Sequence, residues 1–204
     1  MATYKRTSEA ELKKHLDSVT IPVTNTRINL FKKSLEAITV EGMNMEFGVM
    51  SGGTINSISN IIPNKTVYGF DSWLGLPDDF TARYPAGVFV QEIPKTFNPN
   101  VELVVGMIET TLPRFLERHP EKIAFVHMDV DIYSSTKYVL DTLAPRIQVG
   151  TVIQFDEIFE AEEGWWYLGE FNAWNDFVKE HNVEYEYVGW MKSCHCSFKI
   201  MSIN

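Results

Sequence analysis

The chain has 204 residues, 45% hydrophobic and 22% charged, which suits one compact globular domain and excludes a disordered polymer. A net charge of −9, spread along the chain, argues against nucleic acid or an anionic membrane surface as partner. No apolar run nears the roughly 20 residues of a membrane span, and with only two cysteines no disulfide framework is expected, so a reducing cytoplasm fits.

Met1–Asp17 is charged throughout and lacks the apolar core of a signal peptide. Two helices are predicted first, about Glu9–Asp17 and Asn25–Ile38, the second with Ile28, Phe31, Leu35 and Ile38 at helical spacing. They form an N-terminal helical cap, residues 1–42, on a core of residues 43–204 within a single domain. Short apolar runs then alternate with helices, which predicts an α/β fold with a doubly wound, mostly parallel sheet.

The predicted strands are Asn44–Val49, Thr66–Phe70, Val101–Val105, Lys122–Met128 and Gly150–Phe155. Between and after them lie helices at about Gly53–Ile61, Thr110–Arg118, Ser134–Leu143 and Leu168–His181. The end reads as an antiparallel strand pair at the sheet edge, Val183–Gly189 and His195–Ser202. Cys194-His195-Cys196 is read as strand, with both thiols on one face and His195 on the other; the alternative is a metal or redox fragment. Ligands of such sheets sit beyond the carboxyl ends of the strands.

Three elements fall at those ends. Glu46-Phe47-Gly48-Val49-Met50-Ser51-Gly52-Gly53-Thr54 runs from a strand into a helix, where glycines permit close backbone approach and the helix start offers free N–H groups. It matches neither the dinucleotide G-x-G-x-x-G nor a phosphate loop. Asp71, in Tyr68-Gly69-Phe70-Asp71-Ser72, is placed to accept ribose hydroxyls, or else caps its loop. His127-Met128-Asp129-Val130-Asp131 and Phe155-Asp156-Glu157 gather four carboxylates at neighbouring strand ends. Unpaired, these would repel and raise one another's pKa, and a hard divalent cation would relieve that. The competing reading makes Asp131 the N-cap of the next helix.

With these pieces in order, the chain resembles the macrocin O-methyltransferase family, which methylates sugar hydroxyls in antibiotic pathways. The resemblance rests on Glu46–Val49 with Gly52-Gly53, Phe70–Pro77, Thr111-Leu112-Pro113, Asp129–Thr136 and Gly150–Glu157. It implies a class I, Rossmann-like methyltransferase domain binding S-adenosylmethionine. The implied cofactor contacts are Glu46, Phe47, Gly48, Val49, Ser51, Gly52, Gly53, Thr54, Asp71, Ser72, Trp73, Gly106, Met107, Ile108 and Asp129. It further implies Mg2+ or another divalent cation on Asp129, Asp156 and Glu157, with Asp131 as general base. The chain departs from the family in carrying Asp156-Glu157 where antibiotic-pathway members usually have two aspartates, and in its short N-terminal part.

The implied reaction is transfer to an aliphatic hydroxyl of a sugar or small natural product, which a cation acidifies and a carboxylate deprotonates. Trp73–Tyr84 and Trp165-Trp166-Tyr167 either wall the acceptor pocket or pack as core and lid. Glu170 either reaches the acidic rim or lies on a solvated helix face. Rival readings are a catechol-type O-methyltransferase and a non-catalytic protein holding S-adenosylmethionine or S-adenosylhomocysteine; a nicotinamide enzyme is disfavoured by the missing glycine fingerprint. Homo-oligomerisation is left open.

Overall fold

The computed structural model describes residues 14, 18–159, 169–191 and 194–204. Eight strands form one sheet: β1 (Val23–Thr24), β2 (Met43–Phe47), β3 (Val67–Asp71), β4 (Val101–Val105), β5 (Ile123–Met128), β6 (Val152–Phe155), β7 (Glu184–Met191) and β8 (Cys196–Ser202). Their order is β1-β7-β8-β6-β5-β2-β3-β4, parallel except where β8 runs against β6 and β7. The helices are α1 (Arg27–Glu36), α2 (Gly53–Ile61), α3 (Ile108–Arg118), α4 (Tyr133–Leu143) and α5 (Glu170–Glu180). The doubly wound fold is thus as the alternation predicts. The helix predicted at Glu9–Asp17 lies outside the described residues except for Lys14, and Trp165, Trp166 and Tyr167 lie outside them too.

Both faces of the central strands are covered, so most of their residues are apolar and the polar ones among them, Asn44, Glu46, His127 and Gln154, are buried. Val152 and Phe125 join Phe31 and Leu35 of α1 and Ile55 and Ile58 of α2 on one side. Their chain neighbours Ile153 and Val126 join the larger cluster with α3, α4 and α5, which includes Phe115, Leu140 and Trp174. Pro113 sits inside α3 and has no N–H to give the carbonyl of Glu109; the Tyr138 hydroxyl donates to that carbonyl instead, at 3.2 Å.

Two local expectations change. Helix α1 buries Leu30, Phe31, Ser34 and Leu35, whereas Ile28 is exposed and Ile38 falls beyond the helix. Its buried face is therefore turned from the predicted one, because Ser34 donates a hydrogen bond at 2.9 Å to Gln154 in β6 and belongs to the interface. The antiparallel pair is not the sheet's edge either: Val23–Thr24, too short to show a period, add a parallel strand outside β7.

The parallel strands are drawn together just past their ends. Gly48 N–H donates to Phe70 O, Asp129 N–H to Phe47 O and Asp156 N–H to Met128 O, each at 2.9 Å. At Gly48 (φ +86°) a Cβ would lie 1.7 Å from the carbonyl oxygen of Asp129, so any side chain here forces β2 and β5 apart. Gly87 has a similar φ of +80° but nothing within 4 Å of its notional Cβ. Gly48→Ala should therefore cost about 3 kcal/mol or more, and Gly87→Ala only the left-handed backbone penalty of about 1–2 kcal/mol. Denaturant melts of the two variants check this; equal losses would mean that the β2–β5 approach is not the constraint.

Candidate functional site

A cavity of about 320 Å³ opens at the carboxyl ends of the parallel strands, where small-molecule sites of such sheets lie. On the β3 side its walls include Phe70, Asp71, Ser72 and Met107; on the β5–β6 side they include Asp129, Asp131, Asp156 and Glu157. Gly75, Leu76, Pro77 and Phe89 of the long connection between β3 and β4 cover it.

Asp71 organises the first side through backbone amides. One carboxylate oxygen, Oδ2, accepts the N–H of Val49 at 2.9 Å and of Met50 at 2.8 Å; Oδ1 accepts the N–H of Trp73 at 2.7 Å. The carboxylate thereby clamps the turn after β2 to the turn after β3. Trp73, at φ +55°, is buried and donates its indole N–H to Met50 O at 2.9 Å. Trp73 lines the cavity but is packed into the core beside Val49 and Ile55.

On the second side, ionisable groups form a buried chain. Glu46 and His127 are both wholly enclosed, with Oε2 3.0 Å from Nδ1, and the Thr54 hydroxyl donates to the other oxygen of Glu46 at 3.0 Å. His127 Nε2 lies 3.6 Å from Asp156 Oδ1, which His195 Nδ1 approaches to 2.9 Å; Arg27 Nη2 donates to Asp156 Oδ2 at 2.9 Å. Burial alone would lower the His127 pKa, but the carboxylates of Asp156 and Glu46 push it up to about 10. Burial likewise works to raise Asp156, and the two histidines outweigh it, holding its carboxylate below the usual range.

Asp129 is compensated only in part, by the charge of His127. Burial first, then the charge of Asp156, raise it well above an ordinary carboxylate. Asp131 and Glu157 are hydrogen-bonded to each other, and Glu157, desolvated and facing the charge of Asp131, is pushed up to about 11, so the pair keeps one proton. Glu170 is buried in the first turn of α5, where Oε1 accepts the Val130 N–H at 3.5 Å and Oε2 the Glu157 N–H at 3.0 Å. It reaches the rim, and burial raises its pKa too.

Of the residues singled out from the sequence, Gly48, Asp71, Ser72, Trp73, Met107, Ile108, Asp129, Asp131, Asp156 and Glu157 line the cavity. Glu46, Phe47, Val49, Ser51, Gly52, Gly53, Thr54 and Gly106 do not. The side chains of Glu46 and Phe47 are wholly buried: Glu46 serves His127, and Phe47 stacks on Phe70. Gly52 is the left-handed N-cap of α2, with Phe97 against it. Asp131 is not an N-cap; α4 is capped at Ile132 without a side-chain bond, and Asp131 stands at φ +59° facing the cavity. His195 is not on a strand face; β8 begins at Cys196, and the preceding His195 turns onto Asp156.

Arg27 and His195 are the groups that sequence reasoning missed. Arg27 stands at the start of an amphipathic helix, where a cation has no special meaning, and it pairs across 129 residues. His195 carried a signal, a lone imidazole between two thiols, but its partner lies on another strand.

A family model described as methyltransferase domain matches residues 45–158. Among solved structures, the chain is similar to the calicheamicin methyltransferase CalS11: TM-score 0.65 and 20% identity, over 94% of this chain and 80% of that one. It is similar to the O-methyltransferase NovP, with TM-score 0.66 and 19% identity over 86% and 80%. It is also similar to an O-methyltransferase from Bacillus cereus in complex with SAH, with TM-score 0.55 and 10% identity over 95% and 88%. At these identities the likeness carries the fold. No curated protein sequence matches the chain.

The Asp71 clamp is testable without any ligand. Asp71→Asn puts an NH2 group against backbone donors and strands at least one of them. Stability in a urea melt should fall by about 1–3 kcal/mol; an unchanged melt would mean these amides are satisfied otherwise.

Proposed function

The chain belongs to the methyltransferase-domain family, and from that premise we propose that it methylates a hydroxyl of a sugar or other small natural product, with S-adenosylmethionine as donor and a divalent cation assisting. The observation that carries this reading is the two-sided cavity: a backbone clamp and apolar wall on one side, carboxylates on the other, meeting at Gly48 and Asp129.

Phe70, Met107 and Ile108 suit the flat face of an adenine. Among the described residues Asp71 Oδ1 accepts the Trp73 N–H alone, which leaves it a lone pair for a ribose hydroxyl, with the Ser72 side chain beside it. S-adenosylmethionine, when bound, supplies a methyl group on a cationic sulfur. The Asp129 carboxylate, which lines the cavity, would favour that positive charge.

Asp129 and Asp156 also fit a small cation, because one donor atom from each converges with a buried imidazole nitrogen, all within 4.8 Å of one another. A cation held there supplies Lewis acidity, which makes a hydroxyl easier to deprotonate. Asp131 faces the same space and is the group to take that proton. Trp73, Leu76 and Phe89 exclude water, and the fixed orientation of donor and hydroxyl contributes much of the rate. The likeness to CalS11, a TDP-rhamnose 3'-O-methyltransferase, supports a sugar hydroxyl as acceptor.

Methyl-labelled S-adenosylmethionine offered with TDP-rhamnose, simple glycosides and catechol should label a sugar hydroxyl; transfer to catechol alone would overturn the sugar reading. With the acceptor so found, Asp131→Asn should lower kcat about 10²–10⁴-fold while cofactor affinity is nearly kept. A near-normal kcat would move the base elsewhere.

A further inference from the structure

We propose that His127, and not Glu157, completes a divalent-cation site with Asp129 and Asp156, that Glu46 orients it, and that the site takes Mn2+ in preference to Mg2+. His127 and Asp129 stand two residues apart at the end of β5, so both side chains leave the strand on one side, toward Asp156 at the end of β6. Glu46 Oε2, 3.0 Å from Nδ1, holds the ring hydrogen on that nitrogen. The other nitrogen, Nε2, is fully buried, has no hydrogen-bond partner among the described residues, and lies 3.6 Å from Asp156 Oδ1. A buried unpartnered nitrogen is costly and calls for an explanation, and an ion supplies one. A carboxylate behind one imidazole nitrogen with the other facing carboxylate donors is the usual outer support of a metal-binding histidine. Thr54 in turn fixes Glu46.

Glu157 is directed elsewhere. Its side chain is hydrogen-bonded to Asp131 and its N–H is held by Glu170, and it is not among the groups whose donor atoms converge. Asp156 keeps its orientation through Arg27 on Oδ2 and His195 on Oδ1. An imidazole in the donor set shifts preference from Mg2+, which suits all-oxygen ligands, toward transition metals.

This inference rests on the cation-assisted reading above, so its test uses ion binding alone, with neither methyl donor nor acceptor. Metal-stripped full-length protein is titrated with Mn2+ and its pulsed EPR spectrum recorded. Binding should be at least about tenfold tighter for Mn2+ than for Mg2+, with a nitrogen coupling from one coordinated imidazole. His127→Gln should lose the coupling and weaken Mn2+ binding about 100-fold; Glu157→Gln and His195→Gln should keep the coupling. If His127→Gln does not fold, Glu46→Gln, which preserves the hydrogen bond, should still weaken binding about 10–100-fold. Absence of the coupling, its survival in His127→Gln, its loss in His195→Gln, or loss of Mn2+ binding in Glu157→Gln overturns the proposal. Absence of any Mn2+ binding overturns it together with the cation-assisted reading. A coupled Mn2+ site without methyl transfer leaves it standing and overturns the function instead.

Discussion

Glu46, Asp129, Asp131, Asp156, Glu157 and Glu170 crowd one end of a parallel sheet, and carboxylates so placed repel strongly in a low-dielectric interior unless they are neutralised. The fold solves this in pieces. His127 stands between Glu46 and Asp156, Arg27 and His195 answer Asp156, one proton serves Asp131 and Glu157, and Glu170 takes two backbone amides. Asp129, whose charge His127 offsets only in part against burial and Asp156, faces the cavity. The charge least well compensated is thus the one available to a ligand.

That arrangement depends on how closely the strands can approach. Bare backbone at Gly48 lets β2 lie against the carbonyl of Asp129, and a similar need holds at Gly169, whose notional Cβ would fall 2.2 Å from Asp131 O. Glycines at these two points let the turn after β2 and the start of α5 lie against the segment Asp129–Asp131. The left-handed backbone of Asp131, costly for a residue with a side chain, is held by this packing and by the bridge from Ile132 to Gly169. Strain is concentrated where the chemistry is proposed.

The two walls of the cavity differ in what they ask of their residues. On the Asp71 side, polar side chains are spent on backbone geometry, so the surface offered to a ligand is mostly apolar with a few remaining lone pairs. On the carboxylate side, polar groups are spent on one another. A donor with a flat apolar face and a cationic centre, as proposed above, would suit that division, its first half against Phe70 and Met107 and its second against Asp129.

Much of the fold was legible in the sequence because its signals are local. Apolar runs of five or six residues separated by helices specify a parallel sheet, and Gly53–Ile61 and Val101–Val105 fall where periodicity and turn residues put them. Glycines and carboxylates at strand ends likewise marked Gly48, Asp71, Asp129, Asp131 and Asp156 as cavity residues, since every parallel strand delivers its carboxyl end to the same rim. What one residue does at that rim was decided by tertiary structure. Glu46 left the cavity for a histidine 81 residues away, Arg27 reached Asp156 across 129 residues, and His195 came in from the antiparallel strand pair. Ion pairs between distant segments leave no period and no spacing in the chain. They exist only once sheet order has set β8 beside β6 and α1 over both, because it is desolvation in that packed layer that makes each charge seek its partner.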